Sequence, residues 1–567
     1  MRKTIKRLGA VLLAMAMAVS VLCTGALAAE TTYSITVKPA VSRHIYEAYQ
    51  VFTGTVATGE GKNKVLSDIQ WSSDLKTTDN TTTLLNAVKA ITVGESDKPF
   101  KSCTNAADVA AVLSKATDKD NATIKAFAKV VAKYLDNTNA KTGSFGTSDD
   151  SNTYTISGLS AGYYLVKDKD GSVDANNHDV YTNYIMEVVQ DVTVAPKISV
   201  PTVEKKVNNK TEADIAQIGE KVTFTLTGTL PKNYDDYKTY QYIFHDTLSE
   251  GLTLDADSIT VKAYENDTDV VTLAANADYT ILTGNGVSET NDPKCSLEIK
   301  FDNLKNISGL TKDSKIVVEY TATVNSKATA GKTTPNTNKV HLEYSNDPNA
   351  EGIGTTGKTP EDKVNVYTFK LDVTKVDAQN TDNKLSGAQF VLATADDLTI
   401  TADNFNENGE VTEGTTTTNL IAVTGSTPTY VIDDGTATSK MYVMSTDTNG
   451  ALNINGLKSG TYYLYETKAP DGYNKLTKPI KIEITATQTA ATGDIADTGA
   501  FSAKVDDTNT NATLDTGTVS VTVKNSSGST LPSTGGMGTK LFYTIGGILM
   551  AGAAIILVVR KRRSDAE

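Results

Sequence analysis

The feature that most constrains this chain is a two-residue alternation of apolar and polar side chains, interrupted at short intervals by turn dipeptides. "FKLDVTKVD" (Phe369–Asp377) and "TVSVTVKN" (Thr518–Asn525) alternate over most of their length, and "DTNGALNING" and "KAPDGY" supply the turns. A period of two puts every second side chain on one face of a strand. Short strands at regular spacing, without helices between them, predict antiparallel β-sandwiches.

One stretch departs from this period. "NATIKAFAKVVAKYL" places Ile124, Phe127, Val131 and Tyr134/Leu135 on one helical face, which predicts a helical insertion packed on the first sandwich. Composition shifts at Ala195–Val203 and Ser345–Lys363 mark two boundaries. The expected organisation is all-β, with three tandem immunoglobulin-like sandwiches at 30–200, 201–360 and 361–530.

The two ends read as export signals. Residues 1–29 combine a basic start, an apolar run and the small-residue exit "ALAA", the pattern of a secretory signal peptide. At the other end, "LPSTGG" precedes an apolar run over 541–559 and the basic "RKRR". Such a run at helical rise just spans a bilayer core of about 30 Å, and the basic tail is expected to stay on the cytoplasmic side.

Composition narrows the function. There are 67 acidic against 54 basic residues, a net charge of −13, which argues against nucleic acid as a partner. Cys23 leaves with the signal, so Cys103 and Cys295 cannot form the disulfide framework usual in exported proteins. His44, His178, His245 and His341 show no metal-ligand spacing, and no nucleophile elbow is present. No metal, cofactor or enzymatic turnover on a substrate is expected.

The third segment contains a puzzle. In "GTYYLYETKAPDGY", Glu466 shares a strand face with Leu464 and Tyr462, and an ionised carboxylate in an apolar interior is strongly disfavoured. Desolvation raises a carboxyl pKa and leaves a neutral acid able to donate. Lys375 shares a face with Phe369, Leu371 and Val373, and Asn525 shares one with Val519, Val521 and Val523. A buried lysine loses its proton more readily and becomes a nucleophile. Its amine can attack the asparagine carboxamide while the acid polarises the carbonyl; ammonia leaves and an amide joins the strands.

The motifs "VTKVDAQ", "KLSGAQFVL" and "GLKSGTYYLYETKAPDGY" resemble the CnaB-type isopeptide-forming domains of Gram-positive pilins. The resemblance implies that Lys375 and Asn525 are the bonded pair and Glu466 the catalytic acid. The second segment is similar to the middle domain of backbone pilins, where an aspartate takes the acid's role. There Lys205 alternates with Val203 and Val207, Asp246 with Tyr242, Phe244 and Leu248, and Asn338 with Val340, Leu342 and Tyr344. Asn336 and Asn346 lie close by and leave the asparagine open. In the first segment, "GLSAGYYLVKDKDG" aligns Lys167 with the acid and puts Asp168 on the opposite face, so no internal bond is expected there.

The C-terminal arrangement resembles the cell-wall sorting signal of Gram-positive surface proteins. The resemblance implies that a sortase reads Leu531, Pro532, Ser533, Thr534 and Gly535 and cleaves between Thr534 and Gly535. "VVQDVTVAPK" resembles the pilin motif whose lysine accepts that threonine, which implies Lys197 as the intersubunit lysine. "YEAYQVFTG" and "LSDIQW", ending at Trp71, further resemble the N-terminal domain of backbone pilins. The expected function is a backbone subunit of a covalent surface pilus. Expected partners are a pilus-class sortase, a housekeeping sortase and peptidoglycan, identical subunits, tip and base pilins, and a host surface ligand. A wall-anchored adhesin or ancillary pilin using the same domains as a stalk is the alternative.

Overall fold

The computed structural model describes residues 31–564, apart from 43, 59–63, 77, 80–81, 117–121, 147–151, 174–178, 183, 189–190, 197, 266–267, 290–293, 497–498 and 529–536. The chain divides into two compact units, Met1–Thr368 with Thr487–Ala496, and Phe369–Ala486 with Asp497–Glu567.

The first unit opens with a sandwich. One sheet runs Val192–Val194, Tyr33–Val37, Tyr154–Leu159, Ser144–Phe145, and the other Ile185–Val188, Gly162–Asp168, Tyr46–Thr58, Lys64–Trp71. Tyr33–Val37 and Val192–Val194 pair in parallel, with Ile35 opposite Val192, so the segment's two ends lie side by side. The second sheet is covered on both faces. Tyr46, Ala48, Tyr164 and Val166 pack toward Ile35, Val37 and Ile156. Tyr49, Val51 and Leu165 pack toward a helical layer that holds Phe100, Val109, Phe127 and Val131.

That layer has three helices, Leu84–Lys89, Ala106–Lys115 and Ala122–Ala132, where the sequence suggested one. Asn105 caps the second by accepting from the Asp108 N–H at 2.9 Å. Phe127 is fully buried, worth roughly 1.5–3 kcal/mol for such a side chain.

The second sandwich stacks Val203–Val207, Lys221–Thr229, Lys315–Val324, Leu252–Glu265 and Thr268–Val271 against a larger sheet. That sheet is ordered Ala213–Ile215, Asp362–Tyr367, Asn336–Ser345, Tyr242–Leu248, Leu297–Phe301, Thr280–Thr283. Asp362–Tyr367 pairs with Asn336–Ser345, Asn338 facing Val364. The boundary therefore falls after Thr368, eight residues beyond the position expected from composition, because the polar stretch before it turns back into this sheet.

The second unit is a third sandwich. Its sheets are Val423–Ser426, Thr429–Ile432, Ala451–Leu457, Phe369–Asp377, Thr518–Asn525, Ala512–Thr513, and Met444–Ser445, Gln389–Ala393, Gly460–Lys468, Ile480–Ala486, Phe501–Val505, Thr508–Thr510. Phe369–Asp377 and Thr518–Asn525, its first and last long strands, pair in parallel. The connection following Ala393 covers the outer face of Gly460–Lys468, where Val391, Tyr442 and Tyr465 form a further cluster. A helix, Met537–Ser564, is the last element among the described residues, and its Phe542–Arg563 portion, of mean hydropathy 2.3, is long and apolar enough to cross a membrane.

Candidate functional site

Two buried clusters stand out, one in each of the last two sandwiches. In the third sandwich, the pleat of Phe369–Asp377 turns Lys375 inward with Phe369, Leu371 and Val373. The "NG" turn behind it fixes the backbone. Gly450 adopts φ +68°, its carbonyl accepts from the Lys375 N–H at 2.7 Å, and an added Cβ would sit 2.4 Å from the Lys375 carbonyl oxygen. Asn525 is inward on the neighbouring strand, and Glu466 projects from the facing sheet.

The three side chains meet in the buried interior. The Lys375 Nζ contacts the Asn525 carboxamide oxygen and lies 3.1 Å from Glu466 Oε1. The Asn525 amide nitrogen donates to Glu466 Oε1 and Oε2 at 2.9 and 3.0 Å. The chain beyond "KAPDGY" folds back so that the Leu476 N–H donates to Glu466 Oε2 at 2.7 Å. Burial pushes the Lys375 amine below its ordinary value, against the pull of Glu466, which favours the neutral nucleophile. Glu466 thus approaches the carboxamide from its nitrogen side, whereas the sequence suggested an acid polarising the carbonyl. Lying within hydrogen-bond reach of both nitrogens, it is placed to carry a proton from one to the other.

The second cluster is built across the sandwich. Lys205 lies on Val203–Val207, whose end is closed by Asn208 and Asn209, both at positive φ, with Val207 bridged to Lys210. Asp246 and Asn338 lie diagonally on adjacent strands of the facing sheet, since Asp246 is opposite Val340 and Leu248 opposite Asn338. Lys205, Asp246 and Asn338 are each fully buried.

Lys205 Nζ donates to both Asp246 oxygens at 2.8 Å. Tyr320 completes the group. Its hydroxyl donates to Asp246 Oδ2 at 2.7 Å, accepts from Asn338 Nδ2 at 2.6 Å, and lies 3.4 Å from Lys205 Nζ. Asn338 Oδ1 is buried without a hydrogen-bond partner, a state disfavoured unless a donor reaches it. Desolvation lowers the Lys205 pKa and raises that of Asp246, each against the attraction of the other. Both shifts favour a neutral amine beside a neutral acid.

Asn336 and Asn346 are engaged elsewhere. Asn336 bonds Thr329 and Val366 backbone groups, and Asn346 accepts from Thr355 Oγ1 and donates to the Asp179 carbonyl. In the first sandwich, Lys167 pairs with Asp170 at 2.7 Å, and Asp168 is buried against His44 Nδ1 at 2.9 Å and the Thr182 N–H at 2.5 Å. Lys197 and the Leu531–Pro532–Ser533–Thr534–Gly535 motif lie outside the described residues, as does His178.

The sequence reading missed Tyr320. Its position in "KIVVEYTATV", inward with Val318 and Ala322, marks it as core, and a phenol there needs a polar partner. The buried Cys295 is a structural thiol: burial pushes it up to about 12, and its Sγ donates to the Asp246 and Leu297 carbonyls at 3.1 Å.

Comparison with known proteins bears on these modules. Residues 218–348 match the family described as Gram-positive pilin backbone subunit 2, Cna-B-like domain; 369–498 match the SpaA prealbumin-like fold domain; 523–566 match the LPXTG cell wall anchor motif. The trypsin-resistant surface T6 protein of Streptococcus pyogenes serotype M6 is 27% identical over 459 residues, 73% of this chain and 77% of its own. The fimbrial subunit type 1 of Actinomyces viscosus is 26% identical over 398 residues, covering 66% and 67%. Among solved structures, the S. pyogenes T6 backbone pilin aligns with 89% of this chain and all of its own at 16% identity and TM-score 0.48. The major pilin SpaD of Corynebacterium diphtheriae aligns with 88% of this chain and 98% of its own, at 16% identity and TM-score 0.45. The anchor motif and apolar C-terminal helix make the chain a cell-wall-anchored sortase substrate. By these matches it is a cell-wall-anchored surface pilin that carries a pilin-backbone domain at residues 218–348.

Proposed function

We propose that this pilin is welded shut twice from within and then joined end to end by a pilus-class sortase. The reading rests on one observation above all: Lys375 touches the Asn525 carboxamide while Glu466 lies 3.1 Å from the amine and 2.9 Å from the amide nitrogen. The Lys375 amine attacks Asn525 Cγ, and its proton passes through Glu466 to the departing nitrogen. The C–N bond to that nitrogen breaks, ammonia leaves, and an amide remains. In the second sandwich Lys205 and Asn338 react in the same sense, Asp246 serving as the acid and Tyr320 holding the group together. Catalysis is confined to one turnover on the chain itself.

Polymerisation follows from the terminal signals. Sortase cleaves after Thr534 and transfers its carbonyl to the Lys197 amine of another copy; a housekeeping sortase then fixes the last subunit to peptidoglycan. Tip and base pilins and a host surface ligand complete the proposed set of partners.

Intact mass tests the internal bonds. The wild-type chain is expected to fall two ammonia masses short of its sequence, and Asp246→Ala and Glu466→Ala each to recover one. A full-mass wild type would refute both bonds. For polymerisation, Lys197→Ala is expected to collapse the sortase-dependent, detergent-resistant ladder to monomer, and an unchanged ladder would eliminate Lys197.

A further inference from the structure

The outer face of the second sandwich's larger sheet carries a group that the cross-linking chemistry does not use. Asp246 points into the core, so its neighbour His245 points out, and the strand register sets Glu298 on one side of it and His341 on the other. The two imidazoles stack at 4.8 Å between centroids. Glu289, from the loop preceding Leu297–Phe301, reaches over both rings. Its Oε2 lies 3.6 Å from His245 Nδ1 and 3.4 Å from His341 Nε2. Each of the three residues offers a ligand atom, and these atoms lie within 4.8 Å of one another.

We propose that His245, His341 and Glu289 bind one divalent transition-metal ion, with zinc the best match to the donors. A tetrahedral zinc with bonds of about 2.1 Å holds its ligand atoms about 3.4 Å apart, close to the two separations above. Two imidazoles and a carboxylate select zinc or copper over magnesium or calcium. Glu298 Oε1, 3.2 Å from His245 Nδ1, is held by the Ser288 and Glu289 N–H groups at 2.8 and 2.9 Å and stands outside this triad, which leaves the fourth position to water.

The surrounding groups orient the ligands as outer-shell partners do. His245 Nε2 lies 3.3 Å from Glu343 Oε2, so both ring nitrogens of His245 have carboxylates beside them. Lys358 holds the other oxygen of Glu289 at 2.7 Å and leaves Oε2 for the ion. His341 Nε2 is buried without a hydrogen-bond partner. The Glu289 side chain keeps 22% of its exposure and so gives an ion a way in from solvent. Bound there, the ion would tie two central strands and the Glu289 loop together directly behind Asp246 and Asn338.

The test uses the full chain, without a histidine tag, in detergent. Zn²⁺ is titrated calorimetrically and Co²⁺ by its visible absorption. One equivalent is expected, with the intense d–d bands of a tetrahedral site. His341→Asn and Glu289→Gln should each weaken binding at least tenfold. His341→Cys should keep Co²⁺ and add a thiolate-to-cobalt charge-transfer band, which a loss of folding cannot produce. No saturable uptake by the wild type, unaltered affinity in His341→Asn, or no new band in His341→Cys would each overturn the proposal. The readout is independent of either internal bond.

Discussion

Lys375 reaches Asn525 diagonally: the parallel register sets Lys375 opposite Val523 and Asp377 opposite Asn525, yet the amine meets the carboxamide of the residue two further on. The lysine stem spans that offset, and Glu466 closes the triangle from the other sheet. Glu466→Gln keeps the shape and removes the proton carrier. Its intact mass should fall only one ammonia short of its own sequence mass, where the wild type falls two short. The proposed bond would close a span of 150 residues, so by analogy with a disulfide its loss would cost about 5 kcal/mol. A guanidinium midpoint unchanged from wild type would contradict this.

Tyr320 bonds Asp246 and Asn338 at once. Tyr320→Phe fills the same space without the hydroxyl, so the sandwich should fold while its bond forms more slowly. Losing one hydrogen bond to a reacting group is worth about 1.4 kcal/mol, or tenfold in rate. A mass time course after a short pulse of synthesis would reveal it, and equal rates in the two proteins would remove Tyr320 from the chemistry.

The asparagines of "NTNKV" should separate cleanly. Asn338→Ala is expected to abolish the ammonia loss of the second sandwich. Asn336→Ala should leave that loss intact but destabilise the sandwich by about 1–3 kcal/mol, because it strips a partner from the buried Val366 carbonyl and two bonds from the Thr329 backbone. Mass spectrometry and urea unfolding of both variants give the answer, and a reversed mass pattern would name Asn336 instead.

Glu351 provides a dependence on pH. Hydrogen bonds from Lys133 and Lys238 bring its carboxyl from an ordinary 4.5 down to about 2. A depressed folded value means that the stabilisation is complete above pH 4.5 and disappears as pH falls through 2. The side chain is about half exposed, so solvent screening limits the effect to within about 1 kcal/mol. Wild type and Glu351→Gln should differ slightly at pH 7, converge near pH 2, and differ less in high salt. A difference that grows on acidification would refute the assignment.

The sandwiches and the three polar residues of the third module were readable because the pattern is local. Lys375, Glu466 and Asn525 each stand inside an alternation that declares its own face. What escaped the sequence depends on contacts between distant stretches. Leu84–Lys89 is too short to show a helical period, and Ala106–Lys115 is rich in alanine, which marks neither face strongly. The end of the second sandwich was hidden because polar, glycine-rich residues 345–363 read as a linker, although Thr356–Lys358 and Asp362–Tyr367 pair back onto Asn336–Ser345. Tyr320 went unnoticed because an inward tyrosine in an alternating strand looks like any other core residue. His245 and His341 show no ligand spacing in the chain and become neighbours only through strand register.

The parallel pairing of Phe369–Asp377 with Thr518–Asn525 has a mechanical consequence once the Lys375–Asn525 amide is in place. Tension arriving at Phe369 runs along one strand to Lys375, crosses the amide, and leaves through Asn525 toward the anchor. Every residue between those two is bypassed. The rest of that sandwich hangs beside the load line as slack, and it can carry insertions and surface variation without weakening the fibre.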